Sequence, residues 1–139
     1  TYRGVRYYND SIASSPSRTI AGLRSFPEKV ILLAGGYDKH IPFDVLGPEV
    51  TAHVKLLVLC GATAGKIRAA VEAAPDYRPG HPEILEVSSF WTAVETARDR
   101  AVSGDVVTLS PACAAFDQFP NFAVRGKTFK EIVNSWPEE

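Results

Sequence analysis

Two six-residue runs, K-V-I-L-L-A at 29–34 and K-L-L-V-L-C at 55–60, each place five consecutive apolar side chains behind a lysine and end against a glycine. A strand with one face in water alternates polar and apolar residues. A strand that is apolar at every position is covered on both faces, which is the habit of parallel sheets flanked by helices. Ile84 to Val87 and Val106 to Leu109 repeat the pattern more weakly.

Helical stripes lie between these runs. Ile67, Ala70, Val71 and Ala74 follow the i, i+3, i+4, i+7 rule, as do Phe129, Ile132, Val133 and Trp136, and Phe90, Val94, Ala97 and Ala101 form a comparable stripe. Parallel neighbours need crossover connections, so alternating strands and helices predict an α/β fold: a Rossmann-like, mostly parallel sheet with helices on both faces. The opening G-V-R-Y-Y-N-D adds a further strand, expected at an edge, before Ser15 caps a helix with Pro16 in its first position. The proline-rich stretch from Pro75 to Pro82 reads as a loop.

The 139 residues fit one domain. A net charge of −1 with 22% charged residues offers no basic face for nucleic acid. Cys60 and Cys113 have no C-x-x-C or C-x-x-H neighbours, and read as reduced thiols of a cytoplasmic protein. The apolar runs are far short of the roughly 20 residues a membrane helix needs. The chain begins with threonine, and is expected to be a piece of a longer protein.

Three segments at strand ends carry the chemistry: Y-N-D-S-I-A-S at 8–14, A-G-G-Y-D-K at 34–39, and L-S-P-A-C-A-A-F-D-Q-F-P-N-F at 109–122. Loops beyond the carboxyl ends of parallel strands converge on one crevice, so the three are read as one site for a small anion. The glycine pair at 35–36 permits a sharp turn, and Lys39 supplies a point charge suited to a carboxylate or phosphate. P-A-C-A-A is expected to open a helix with exposed N–H groups, and one of Phe116, Phe119 and Phe122 to wall the pocket. Taken singly, each segment also reads as an ordinary turn or solvated loop. G-A-T-A-G-K at 61–66 has three residues between its glycines and Ile67 after its lysine, so it is a strand-to-helix turn and no P-loop. His40, Asp38 and Asp44 match no metal spacing.

N-D-S-x-A-[TS], G-G-x-D-K and L-S-P-A-x-A-x-x-D-x-[FY]-x-x-F-x-x-R-G occur here in the order and spacing of one family, and over essentially its whole length the chain resembles the C-terminal domain of the Mur ligases. N-D-S in the first slot is the version of the D-glutamate-adding branch. The resemblance implies a cytoplasmic, monomeric ligase of peptidoglycan precursors with three domains, of which residues 1–139 are the third; the UDP-binding and ATPase domains lie outside this chain. It implies ATP and magnesium for the whole enzyme, D-glutamate and UDP-N-acetylmuramoyl-L-alanine as substrates, an acyl-phosphate intermediate, and an inactive isolated domain. Carried over by position, Lys39 pairs with a D-glutamate carboxylate, Phe122 lies beside it, Ser14 stands where a threonine contacts the same substrate, Phe116 offers backbone, and Asp10 lies near the ATP ribose.

Ala115 departs from this pattern, standing where the family commonly has a serine whose hydroxyl and N–H hold the carboxylate. The backbone bond survives the change, and the hydroxyl does not. Ala123 likewise replaces a common glutamate, and Ile12 fills a slot that is lysine in some members. Two other readings stay open: a non-catalytic small-anion module of the same fold, which Ala115 favours, and a related ligase of the folylpolyglutamate or cyanophycin type, which N-D-S disfavours.

Overall fold

A computed structural model describes residues 2–38, 40, 42–115 and 119–137. Strands and helices alternate as β1 (Arg6–Asn9), α1 (Pro16–Arg24), β2 (Val30–Ala34), α2 (Leu46–His53), β3 (Val54–Leu59), α3 (Ala64–Glu72), β4 (Glu83–Glu86), α4 (Phe90–Arg100), β5 (Val106–Leu109) and α5 (Phe122–Asn134). The five strands form one sheet in the order β1-β5-β2-β3-β4. Every neighbouring pair is parallel, and β1 is an edge strand as the sequence predicts.

The unbroken apolar runs are explained by two cores, one on each face. Val30, Leu32 and Ala34 of β2 pack with Leu23 of α1, Leu46 and Val50 of α2, and Ile67 and Val71 of α3. Ile31 and Leu33 point the other way, onto Phe90, Val94 and Ala97 of α4 and Phe129 and Ile132 of α5. Among the described residues, three helices thus cover one face and two the other. Lys55, expected inside the third strand, is an extra residue in the ladder: Val30 pairs with Val54 but Ile31 with Leu56. This irregularity turns the Lys55 ammonium out of the core to pair with Asp105.

Four points of the sequence reading need correction. Helix α2 is absent from the sequence reading because Gly47 and Pro48 disguise it. Pro48 lies in the first turn, where its missing N–H is no loss, and a Cβ at Gly47 would lie 2.4 Å from the Ala70 carbonyl oxygen, so glycine lets α2 approach α3. Pro111 to Ala115 are not themselves helical, and among the described residues the next helix, α5, starts at Phe122, capped by the Asn121 side chain on the Val124 N–H. Ser15 occupies the N-cap position with Pro16 following, but its hydroxyl meets Ser17 rather than a helix N–H. Trp136 falls beyond the end of α5 yet stays buried against Tyr2 and Tyr7. Among the described residues no helix is long and apolar enough to cross a membrane.

Leu57, with no exposure, lies in a strand paired on both sides. Leu57→Ala should lower the unfolding free energy by about 2 to 5 kcal/mol, through lost apolar transfer and the cavity left behind. Urea denaturation checks this as a lowered midpoint at unchanged slope.

Candidate functional site: the crevice beside β5

β5 lies between β1 and β2. The chain leaves β1 and β2 toward helices on one face, whereas it leaves β5 toward α5 on the other. The connections therefore part on either side of the β5 carboxyl end, which is the topological switch point where a crevice opens. All three predicted segments meet there.

Backbone bonds fasten them together. Asp10 N–H donates to Leu109 O at 2.8 Å and Ala112 N–H to Ala13 O at 3.0 Å, joining the loops after β1 and β5. On the other side Ser110 N–H donates to Leu33 O, Gly35 N–H to Pro111 O and Tyr37 N–H to Ala114 O, so the loops after β5 and β2 continue the ladder past the strands. Gly35 has φ +110°, and a Cβ there would lie 1.9 Å from the Cys60 carbonyl oxygen, so only glycine fits. The loop after β3 joins through Thr63, whose hydroxyl accepts from Gly36 N–H at 3.0 Å and whose N–H donates to Gly36 O at 3.3 Å. The same hydroxyl lies 3.2 Å from the buried Cys113 thiol.

Arg125 of α5 crosses this assembly from below. Its side chain is only 2% exposed. Nε donates to Ser11 Oγ at 2.9 Å, one terminal nitrogen to Cys113 O at 2.8 Å, and the other to Ser11 O at 2.6 Å. Ser11 Oγ in turn donates to Phe122 O at 2.7 Å. A Cβ at Gly126, next in sequence, would lie only 2.8 and 2.9 Å from the Asn9 side-chain amide atoms. Arg125 and Gly126 thus bring α5 against the N-D-S turn, one by its reach and the other by its lack of a side chain.

The expected site residues are distributed as follows. Asp10 turns its carboxylate toward α1: Oδ2 accepts from the Ser110 hydroxyl at 2.8 Å and would lie 2.8 Å from a Cβ at Gly22. Ser110 also meets Thr19, whose hydroxyl donates to Ser110 O at 3.1 Å. Ser14 is half-buried, and its hydroxyl has no partner among the described residues. Ala115 is buried, and its carbonyl accepts from Phe119 N–H at 2.8 Å. Phe122 is 44% exposed and, with Asn9, Ser11, Ile12, Ala123 and Gly126, lines a cleft of about 170 Å³. Phe119 instead packs edge-on against Phe90 in the core. Lys39 and Phe116 lie outside the described residues.

Beside position 39, Asp38 accepts from His40 N–H through Oδ1 at 2.8 Å and from the Lys66 ammonium through Oδ2. The Lys66 bond, then the His40 bond, hold its carboxyl below the ordinary value. Lys66 belongs to the turn that the sequence distinguishes from a P-loop. Among the described residues no three His, Cys, Asp or Glu side chains gather to hold a metal. Sequence reasoning gave no role to Arg125, Ser110 or Lys66. The one signal was the R-G pair closing the third motif.

The family model described as "Mur ligase, glutamate ligase domain" matches residues 1–113. A protein of Clostridium botulinum (strain Okra / Type B1) named UDP-N-acetylmuramoylalanine--D-glutamate ligase is 57% identical over 132 residues, covering 95% of this chain and 29% of that protein. A protein of the same name from Clostridium kluyveri (strain ATCC 8527) is 57% identical over 131 residues, with 94% and 29% covered. The chain thus spans about 29% of the length of these relatives. A solved domain from Haemophilus ducreyi 35000HP, assigned to a UDP-N-acetylmuramate:L-alanyl-gamma-D-glutamyl-meso-diaminopimelate ligase, superposes with a TM-score of 0.59 at 11% identity, covering 95% of this chain and 94% of that one. At that identity it supports the fold alone.

Arg125→Met should cost about 3 kcal/mol, because the carbonyls of Ser11 and Cys113 lose their donors while buried. Arg125→Lys should recover less than half of it, since an ammonium cannot fork to the same acceptors; thermal and urea unfolding measure both. Asp38 gives a pH signature. Its folded value lies below its unfolded one, so its contribution is complete above about pH 4 and is lost as pH falls through the folded value. The stability difference between the wild type and Asp38→Asn, followed by urea unfolding from neutral to acid pH, should shrink over that acid range.

Proposed function

Because this chain belongs to the Mur ligase glutamate-ligase domain family, we propose that it is the amino-acid-binding domain of a longer ATP-dependent ligase that joins D-glutamate to UDP-N-acetylmuramoyl-L-alanine. The observation that carries this reading is the conjunction of 57% identity to relatives of that name with the convergence of all three motif loops on one crevice. The parent is read as a cytoplasmic monomer whose other domains hold ATP and the UDP-linked substrate.

In this reading ATP supplies the phosphoryl group that activates the substrate carboxylate. The D-glutamate nitrogen then attacks that carbonyl carbon, the bond to the phosphate oxygen breaks, and the nitrogen gives up a proton as the amide forms. The residues of this chain position the amino acid and transfer no proton. Lys39 and the Ala115 N–H, which donates to none of the described residues, take a D-glutamate carboxylate. Phe122 walls the amino acid on the cleft side, and the unpartnered Ser14 hydroxyl reaches the same substrate. Asp10 spends Oδ2 on Ser110 and keeps Oδ1 for a ribose hydroxyl. Magnesium, which the family brings with ATP, meets no suitable cluster among the described residues, and no metal-binding role is proposed for this chain.

The test is ADP release by the full-length ligase containing this chain, with UDP-N-acetylmuramoyl-L-alanine and a panel of D-Glu, L-Glu, L-Lys and meso-diaminopimelate. Strict dependence on D-Glu is expected, with Lys39→Ala raising its KM about 10- to 100-fold, the range of one charge-assisted bond. Residues 1–139 alone should release no ADP. Use of another amino acid would make Ala115 a marker of changed specificity, and inactivity toward the whole panel would favour the non-catalytic module.

A further inference from the structure

We infer that Lys66 is a positioning residue for the amino-acid site, holding the loop that carries Lys39 through its ion pair with Asp38. The inference rests on the reading of Lys39 given above and adds a residue to which neither the motifs nor the comparisons give a role.

The placement of Lys66 is the first argument. It sits in the first turn of α3, where the helix macrodipole disfavours a cation, and that turn contains no acidic residue to offset it. Helix stability therefore does not account for a lysine there. Its ammonium reaches outside the helix to Asp38, 28 positions earlier in the chain.

The second argument is how Asp38 divides its oxygens. Oδ1 takes the His40 N–H at 2.8 Å and Oδ2 takes Lys66, so one carboxylate fixes the backbone just past position 39 and ties the segment just before it to α3. His40 has φ +60°, a left-handed conformation uncommon among non-glycine residues, and the Asp38 bond to its N–H closes the turn there. The start of α3 also grips the other end of the loop, through the two bonds between Thr63 and Gly36. Thr63 and Lys66 are three residues apart, one turn of helix, and together they hold the loop at two points.

The third argument is energetic. The Lys66 side chain is more than half exposed, and an exposed ion pair contributes little to stability. What the pair supplies is geometry and charge balance. With Lys66 removed, Asp38 would present an uncompensated carboxylate beside a site that must accept another. Among the described residues the other ionisable partner of this carboxylate is His40, whose Nδ1 lies 3.9 Å away, while Asp44 lines the same groove as His40 and Lys66. The Asp44 carboxylate cannot replace the lost cation.

Two measurements test this. In the full-length ligase, Lys66→Met should raise the KM for D-Glu about 5- to 20-fold while kcat and the KM values for ATP and the UDP-linked substrate stay within about twofold. Lys66→Arg should stay within about threefold of wild type, because it keeps the charge. Adding Asp38→Asn to Lys66→Met keeps an acceptor for His40 N–H and removes the bare charge, so it should recover at least about half of the loss on a logarithmic scale. Equal losses for all three substrates, or no loss for any, would overturn the inference. Amide exchange on residues 1–139 needs no substrate: Lys66→Met should speed exchange at Tyr37 and His40 about tenfold or more, with the core amides unchanged. Unchanged exchange at those two amides overturns the inference even if the ligase works. Faster exchange in a protein whose parent ignores D-Glu would support the loop's anchoring and count instead against the D-glutamate reading.

Discussion

A guanidinium cannot shed its proton in a protein, so Arg125 brings a full positive charge almost completely out of water. Such a group is tolerated only where acceptors surround it in its own planar geometry. Ser11 provides a hydroxyl and a carbonyl, and Cys113 provides a second carbonyl. These acceptors come from the loops after β1 and β5, and the arginine itself from α5. Moving any one of the three would uncouple a buried charge from its partners, so the crevice is built as a unit. The hydrogen bond from Ser11 Oγ to Phe122 O extends the same constraint to the exposed ring at the rim.

Sheet topology makes the constraint possible. With β5 between β1 and β2, the loops after all three strands emerge side by side, and the segment after β5 can bond to both neighbours. Polar residues then enter the otherwise apolar layer beneath the crevice. Thr19, Thr108 and Ser110 are buried, and the Ser110 hydroxyl joins Thr19 to the Asp10 carboxylate. The Thr19 and Ser110 hydroxyls each trade a methyl's worth of packing for direction, which places Asp10 between β1 and α1 rather than loose above the sheet. The site is thus continuous with the core beneath it.

What the sequence disclosed follows from the same physics. Continuous apolar runs announce themselves, and the runs read for the three inner strands and for the edge strand β4 all fall within a residue of the observed strands. Helices α3, α4 and α5 were legible from their stripes and α1 from Ser15 and Pro16 at its start, while Gly47 and Pro48 erased the signature of α2 for reasons that appear only when α3 is packed against it. The convergence of the three loops was legible because strand ends in a parallel sheet share one edge. Arg125 was not, since its partner Ser11 lies 114 positions away and nothing local marks the residue as buried. Pro111 to Ala115 misled because small residues after a strand suit a helix start and an irregular loop equally well. Phe119 and Phe122 have the same local character, and only packing against Phe90 assigns the first to the core and leaves the second at the rim.

The departure at Ala115 shifts weight onto charge. A serine hydroxyl at that position would offer a directional bond to an anionic substrate, and the buried alanine methyl offers none. On the proposed reading, selection of the carboxylate then falls to a backbone N–H and to the net charge of the G-G-Y-D-K loop. Asp38 and Lys39 are neighbours of opposite sign, so the loop alone has no formal charge. It becomes an anion-attracting element only when Lys66 cancels Asp38 from the start of α3. A lysine that is costly to its own helix thereby gives the site the sign its substrate requires.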